Sequence, residues 1–440
     1  MTDLSDLRLS RYVLSVPSND SVLVVGLLKR AVLEVSPEYW NALSESDENG
    51  NSTLSALPSE LISVLVDARI LVESNFDELA HARTQSLLAR GRPDTFGLIV
   101  VPTMSCNMGC HYCFEDKPEN DGGLPTRISE DLLNFAENRM TDPRLRTFHL
   151  RWFGGEPMLE IDRVLEITQK LKIMSASHGR RFRADMVTNG YGITRSCAEQ
   201  MREAGLQAVQ ITFEGDQRKH DKIRRLSKAG SFDGIIASLK AAGDLLEFTA
   251  RVHVAPYSVD TIPRLLRHLH SEGLHHVLKA IYFAPIFNYR QNDPRRNFQE
   301  NSGLYLSSRA FATHEAELLA DARQLGFTTL DPLDADYGVC TALRENTAVM
   351  NVDGTLSKCY LDAGDRNESY GNITGDIDNP QNLQKWRDAD FSADPDCAAC
   401  TFAPVCLGGC DKHARAASDK SMICTSLKYN YADVLQLYHG

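Results

Sequence analysis

The sequence predicts an α/β protein: a parallel sheet with outer helices, preceded by a small α+β unit and followed by a cysteine-rich segment. Three observations carry this. From residue 96 to about 326, β-branched and apolar runs alternate with helical patterns, giving six β-α units in series. The first ~95 residues instead cluster their strand-like runs before their helical ones. Of the eleven cysteines, three lie between positions 106 and 113, seven between 340 and 424, and Cys197 stands apart. A chain of 440 residues exceeds one ordinary core at roughly 150 residues per unit. The expected divisions are 1–92, 93–328 and 329–440.

In the first unit, Leu7–Val16 and Val22–Val35 are rich in Val and Leu, with a turn signal at Pro17-Ser18-Asn19-Asp20. Short helices are expected near Pro37–Leu43 and Ser59–Ala68, a loop over Ser44–Thr53, a wing strand at Ile70–Glu73, and a polar helical linker over Asp77–Arg90. In the middle unit, strands are predicted at Phe96–Pro102, Phe148–Phe153, Ala184–Thr188, Ala208–Phe213, Phe248–Val254 and Val277–Pro285. The helices between them are Ser129–Met140, Glu160–Ser177, Thr194–Ala204, Phe232–Glu247 and Asp260–Ser271, with Leu304–Leu325 last. Such a series makes an open sheet or a partial barrel, and its active site belongs at the carboxyl ends of the strands. The last segment has little periodicity and many Gly, Asp and Asn. It is not expected to build a large apolar core, so bound inorganic clusters would hold it together.

Composition narrows the function. Hydrophobic residues at 42% and charged residues at 24% describe a folded chain. The longest apolar runs, such as Phe96–Val101, fall far short of the ~18 residues of a membrane span. The first residues have no basic region leading into an apolar segment, so a cytoplasmic protein is expected. A net charge of −12 disfavours a polyanion partner, and residues 1–95 carry 8 Lys+Arg against 14 Asp+Glu, so nucleic-acid binding is not expected. In a reducing compartment, clustered thiols point to metal rather than disulfides.

The first cluster, Cys106-Asn107-Met108-Gly109-Cys110-His111-Tyr112-Cys113, directly follows the first predicted strand of the barrel. Three thiolates on one loop hold three corners of a cubane iron–sulfur cluster and leave one iron open. Gly109 is expected to let the backbone wrap around it. The competing zinc site needs four ligands, and His111, between two cysteines, would be strained as the fourth. The spacing, with an aromatic before the last cysteine, resembles the radical S-adenosylmethionine (radical SAM) superfamily. The resemblance implies a partial (β/α)6 barrel, SAM chelated to the open iron, and a 5′-deoxyadenosyl radical. Further matches end the next strands. Gly154, Gly155 and Glu156 in Phe153-Gly154-Gly155-Glu156-Pro157 match the segment that meets the SAM amino group. Asn189 in Thr188-Asn189-Gly190 is a polar contact to SAM in the family. After Ile211-Thr212-Phe213-Glu214-Gly215, Arg224 resembles the partner of the SAM carboxylate, and Tyr112 the residue flanking adenine. Singly, each has an ordinary alternative: a glycine turn, a surface arginine, a core aromatic.

In the C-terminal segment, Cys340-x13-Gly354-x4-Cys359 is followed by Cys397-x2-Cys400-x5-Cys406-x3-Cys410 and by Cys424. This matches the seven-cysteine SPASM pattern, which implies two auxiliary clusters and, with the first, three 4Fe-4S clusters in all. By the family's interleaved ligation, Cys397, Cys400, Cys406 and Cys424 complete one. Cys340, Cys359 and Cys410 hold the other with one iron open, to a substrate or to a non-cysteine ligand of the protein. A structural zinc module suits an odd set of seven thiols poorly. Cys197, alone in a predicted helix, reads as a small buried hydrophobe.

The SPASM resemblance favours a peptide substrate. Sulfatase-maturating enzymes, which make formylglycine, carry a catalytic Asp directly after the cysteine matched by Cys359; here that position is Tyr360, and Asp362 lies two further on. They also commonly carry an eighth SPASM cysteine. The expected function is therefore maturation of a ribosomally made precursor peptide through a thioether or carbon–carbon crosslink. The N-terminal unit, similar to winged-helix precursor-recognition domains, would capture a leader peptide as an added strand. A flavodoxin-like donor or a reductase would supply electrons. No residue is assigned a catalytic role beyond the cofactor contacts. A non-catalytic iron–sulfur carrier and a zinc-stabilised interaction protein are the readings from other classes.

Overall fold

The computed structural model describes residues 4–44, 53–115, 121–226, 230–286, 305–333, 339–416 and 423–440. Each of the six predicted β-α units supplies one strand of a parallel sheet. The strands are β6 (Thr95–Val100), β7 (Thr147–Trp152), β8 (Arg181–Val187), β9 (Leu206–Phe213), β10 (Glu247–Val254) and β11 (Leu278–Pro285); β1–β5 belong to the N-terminal unit. They lie in sequence order, each paired in parallel with the next. The covering helices are α4 (Thr126–Met140), α5 (Ile161–Ser177), α6 (Arg195–Ala204), α8 (Phe232–Ala242), α9 (Ile262–Ser271) and α10 (Ser308–Gln324), with α1–α3 preceding them. A short α7 (Gln217–Ile223) after β9 was not anticipated; Asp216 caps it by accepting from Lys219 N at 3.1 Å. The last predicted helix began at Leu304, which lies outside the described residues, and the observed one starts at Ser308 behind its Ser307 cap.

Alternation along these strands decides what the sheet holds. In β7, Phe148, Leu150 and Trp152 are fully buried under the helices, while His149 and Arg151 face the other way. The same period of two turns Asp185, Gln210, Arg251 and Tyr282 onto the concave face. The helix-covered side is thus apolar and the inner side polar, so the sheet's concavity is a binding space rather than a packed core.

The N-terminal unit differs from its sequence reading. The run Leu7–Val16 breaks at Ser10-Arg11 into β1 (Leu7–Leu9) and β2 (Val13–Ser18), and Val22–Val35 folds into β3 (Ser21–Gly26) and β4 (Ala31–Val35). Pro17 and Ser18 belong to β2, and the turn falls on Asn19, whose φ is +48°. After α1 (Pro37–Ser44) and α2 (Ser59–Asp67), β5 (Leu71–Glu73) pairs antiparallel with β1 rather than with the three-stranded sheet β2-β3-β4. The unbroken apolar run in β3 has a simple cause. Val22 and Val24 face a local core with Leu65 and Ile70, whereas Leu23 and Val25 face the main core, so both sides are buried.

Helix α3 (Glu78–Arg90) is not a linker. It is capped by Asp77, which accepts from Ala80 N at 2.9 Å. Its Arg90 is 8% exposed and donates to the carbonyls of Ala389 (2.5 Å), Trp386 (2.7 Å), Arg387 (3.0 Å) and Leu343 (3.3 Å). The C-terminal segment is likewise better ordered than its composition suggested. It adds β12 (Thr347–Met350), which pairs in parallel with β6, then antiparallel β13 (Thr355–Ser357) and β14 (Gly371–Asn372). Five helices follow: α11 (Pro380–Arg387), α12 (Pro395–Ala399), α13 (Ala403–Cys406), α14 (Asp411–Ala416) and α15 (Leu427–His439). Phe402, Val405, Leu427, Val434 and Leu435 join the main core, so this segment does contribute apolar packing. No helix among the described residues is long and apolar enough to cross a membrane.

Arg90→Ala removes a buried cation from four carbonyls on the far side of an interdomain contact. It is expected to lower unfolding free energy by about 2–4 kcal/mol, measured by denaturant titration.

Candidate active site

The loop after β6 carries Cys106, Cys110 and Cys113, and it is fixed at both ends by backbone bonds. Gly155 N donates to Thr103 O at 3.1 Å and Glu156 N to Ser105 O at 2.9 Å, while Gly109 N reaches Arg225 O at 3.2 Å. Asp121 anchors the near end, accepting from Thr103 Oγ1 at 2.6 Å and from Met104 N. Burial pushes that carboxyl up, but the donors from Thr103, Met104, Gly123 and Ser105 outweigh it and hold it below the usual range.

Gly154 and Gly155 are required by this loop. A Cβ at Gly155 would fall 2.2 Å from Ser105 O and 2.4 Å from Met104 O, and Gly154 has φ +122° with Val101 2.7 Å from its would-be Cβ. The close approach that requires these glycines is to the thiol loop's own backbone. Gly109, in contrast, has no protein atom within 4 Å of a would-be Cβ.

The three thiols line a cavity of about 240 Å³ at the carboxyl ends of β6–β11, together with Gly154, Gly155, Asn189, Tyr112 and Arg224. Glu156 lies behind this wall rather than on it. It is 1% exposed and accepts from Thr188 Oγ1 (2.6 Å), Asn189 N (2.7 Å) and Met158 N (3.0 Å). Burial raises its pKa against those donors. Its carboxylate thus shapes the Thr188–Asn189 turn. Asn189 Nδ2 in turn donates to Asn107 Oδ1 of the thiol loop at 2.7 Å.

Arg224 is 8% exposed and donates to Tyr112 Oη at 2.8 Å, while its Nε has no partner. An unpaired guanidinium donor beside a cavity fits an anionic group such as a carboxylate. Tyr112 donates to Glu214, which is fully buried and also takes His253 Nδ1 at 2.6 Å. Burial pushes Glu214 up, but His253, Arg224 and Tyr112 together hold it below its ordinary value. Burial lowers His253 despite that carboxylate. The sequence reading quoted Glu214 within a motif yet left it and His253 unassigned. Their signal was a polar side chain at the inward phase of an otherwise apolar strand end.

Deeper in the concavity, Arg151 meets Asp185 at 2.5 Å and His149 meets it at 2.6 Å. Arg251, Tyr282 and Tyr360 also line the cavity. Tyr360 packs edge-on against Phe153 with ring centroids 5.1 Å apart, and burial pushes its hydroxyl up to about 12.

The seven C-terminal thiols fall into two sets. Cys397, Cys400, Cys406 and Cys424 line one cavity of about 1500 Å³. Burial raises Cys397 and Cys406, and the other thiols of that set raise them further. Cys340 instead acts on Cys359 and Cys410, both raised chiefly by burial, and all three act on Tyr360. Among the described residues, no three or more His, Cys, Asp or Glu side chains converge as ligands of a single ion. Cys197 is half-buried in α6, packed against the main core.

Residues 100–277 match the radical SAM superfamily model. Among curated proteins, the AdoMet-dependent heme synthase of Oleidesulfovibrio alaskensis is 22% identical over 73% of this chain and 85% of its own length. Among solved structures, anSMEcpe with bound AdoMet and Cp18Cys peptide superposes with a TM-score of 0.59 at 16% identity, covering 78% of this chain and 97% of that one. Streptococcus suis SuiB bound to precursor peptide SuiA gives 0.53 at 14% identity, covering 96% and 99%. These structures share the fold with this chain, which is an enzyme with a radical SAM domain over residues 100–277.

Proposed function

We propose that the chain is a maturase of a ribosomally made precursor peptide. Cys106, Cys110 and Cys113 would hold the 4Fe-4S cluster on whose open iron SAM binds, and Arg224 would take the SAM carboxylate. When bound, the pair supplies a 5′-deoxyadenosyl radical that removes hydrogen from an unactivated C–H bond. The observation that carries this is the cavity itself: three thiols, a glycine doublet and a buried guanidinium Nε without a partner meet in one space. Tyr112, Gly154, Gly155 and Asn189 form its walls, and Glu156 supports Asn189 from behind. The Glu214–His253 pair fixes Tyr112 and keeps a negative charge near Arg224 at 4.0 Å.

The two C-terminal thiol sets suit two auxiliary clusters. The four thiols that line one cavity are the ligand count of one such cluster. Such clusters would exchange electrons with the substrate and with a flavodoxin-like donor or a reductase. The substrate class rests on the peptide-bound relatives of the same fold and on the N-terminal unit. Strand β2 has Pro17 on its edge, and α15 covers it, with Gln436 Nε2 donating to Pro17 O at 2.9 Å. Strand β4 pairs only with β3 among the described residues, so it is the edge onto which a leader peptide would add. A formylglycine-forming activity is disfavoured, because a Tyr360 hydroxyl held at about 12 is no base near neutral pH.

A second reading follows from the heme-synthase relative and from Arg151 and Arg251 at the cavity: a small substrate bearing carboxylates. Co-expression with small peptides encoded nearby separates the two. A mass change in a peptide supports maturation, and unchanged peptides with SAM turnover on carboxylated macrocycles support the second reading.

Cys106→Ala is expected to abolish 5′-deoxyadenosine formation by anaerobic, dithionite-reduced enzyme; persistence of that product refutes the cluster assignment. Arg224→Lys keeps the charge but loses Nε, and should weaken SAM binding at least about tenfold in equilibrium titration. Leu33→Pro on β4 should weaken precursor binding about tenfold or more while peptide-independent SAM cleavage persists. Equal binding would reject the β4 edge.

A further inference from the structure

Cys340, Cys359 and Cys410 are three ligands for a cluster with four irons, and the neighbouring side chains differ sharply in their fitness to supply a fourth. Asp362 ends the short helical turn that follows Cys359, and its N donates to Cys359 O at 3.0 Å. Its side chain is 0% exposed. One carboxyl oxygen, Oδ1, takes Lys412 Nζ; the other, Oδ2, is buried without any partner. Lys412 is two residues beyond Cys410 and is itself drawn by the Cys359 thiolate. The negative charge of Asp362 acts on Cys359 in return. The carboxyl thus lies three residues from Cys359 and is held by a lysine two residues from Cys410. A buried carboxylate oxygen left unpaired keeps its desolvation penalty uncompensated, and it is the atom that a metal would satisfy.

Three neighbouring oxygen groups are turned elsewhere. Tyr360 lines the barrel cavity and packs on Phe153. Asp411 pairs with Arg415 and lines the cavity of the four-thiol set. Glu368 pairs with Lys385.

We propose that Asp362 Oδ2 is the fourth protein ligand of the auxiliary cluster held by Cys340, Cys359 and Cys410. This rests on the auxiliary-cluster reading above and deepens it. Lys412 holds Oδ1 and would leave Oδ2 as the oxygen offered to the cluster. The cluster is then fully ligated by the chain, so a substrate thiol finds no open iron there. Its role is electron transfer rather than substrate binding. A hard oxygen donor in place of a thiolate also makes this iron distinct from the other three.

The test uses full-length enzyme, reconstituted anaerobically, in a Cys106→Ala/Cys110→Ala/Cys113→Ala background so that the SAM-site iron does not respond. Iron content and the EPR spectrum of the dithionite-reduced protein are read with and without added cyanide. With Asp362 present, cyanide should leave the spectrum unchanged. With Asp362→Ala added, cyanide should shift it, or the protein should lose iron relative to the background. Asp362→Cys should keep full iron content, resist cyanide and change the spectrum of that one cluster. A background spectrum that already shifts with cyanide overturns the proposal, as does an Asp362→Ala spectrum identical to the background under both conditions. If Asp362→Ala does not fold, Asp362→Cys decides alone, and an unaltered spectrum in it overturns the assignment. Adding Cys359→Ala to the background is the separate control: unchanged iron content there overturns the auxiliary-cluster reading itself.

Discussion

The constraint on which the rest depends is the contact between the glycine doublet after β7 and the backbone of the thiol loop after β6. Gly155 sits where any side chain would run into the carbonyls of Met104 and Ser105. Because β6 and β7 are adjacent and in parallel register, their ends emerge at the same level, and the two loops must share that space. The shared space is what brings Cys106, Cys110 and Cys113 over the sheet's concavity. Backbone bonds from Gly155 and Glu156 then hold the loop without using any side chain that faces the cavity.

Around that contact the molecule separates two kinds of polar burial. Glu156 and Asp121 are structural: their oxygens are filled by backbone and hydroxyl donors, and they shape loops. Arg224 is different, because it lines the cavity with its Nε left without a partner. The Glu214–His253 pair links the two kinds. It anchors Tyr112 on one side and balances Arg224 on the other, so the orientation of the ring and of the cation are coupled.

The C-terminal segment is tied to this site from both directions. Its β12 extends the barrel sheet next to β6, and Tyr360, directly after Cys359, reaches into the same cavity as the first thiols. Helix α3 from the N-terminal unit is clamped to it through Arg90. The N-terminal unit, the thiol-lined cavity and the C-terminal segment are therefore continuous, with one main core running through all of them.

The sequence by itself determined the β-α alternation, the thiol trio on a strand-end loop and the glycine doublet, because period and short spacing are local properties of the chain. It also marked where seven further thiols lie. What the fold alone decided concerns partners distant in sequence. The pairing of β12 with β6, the burial of α3, the assembly of Tyr112, Glu214, Arg224 and His253, and the enclosure of Asp362 beside Cys359 and Lys412 all join segments tens to hundreds of residues apart. The break of the apolar run after Gly26 was hidden for a related reason. Strand β3 is buried on both faces, so the alternation that normally marks a strand and its turn was absent there. Local pattern encodes which groups a segment carries; only packing fixes which of them meet.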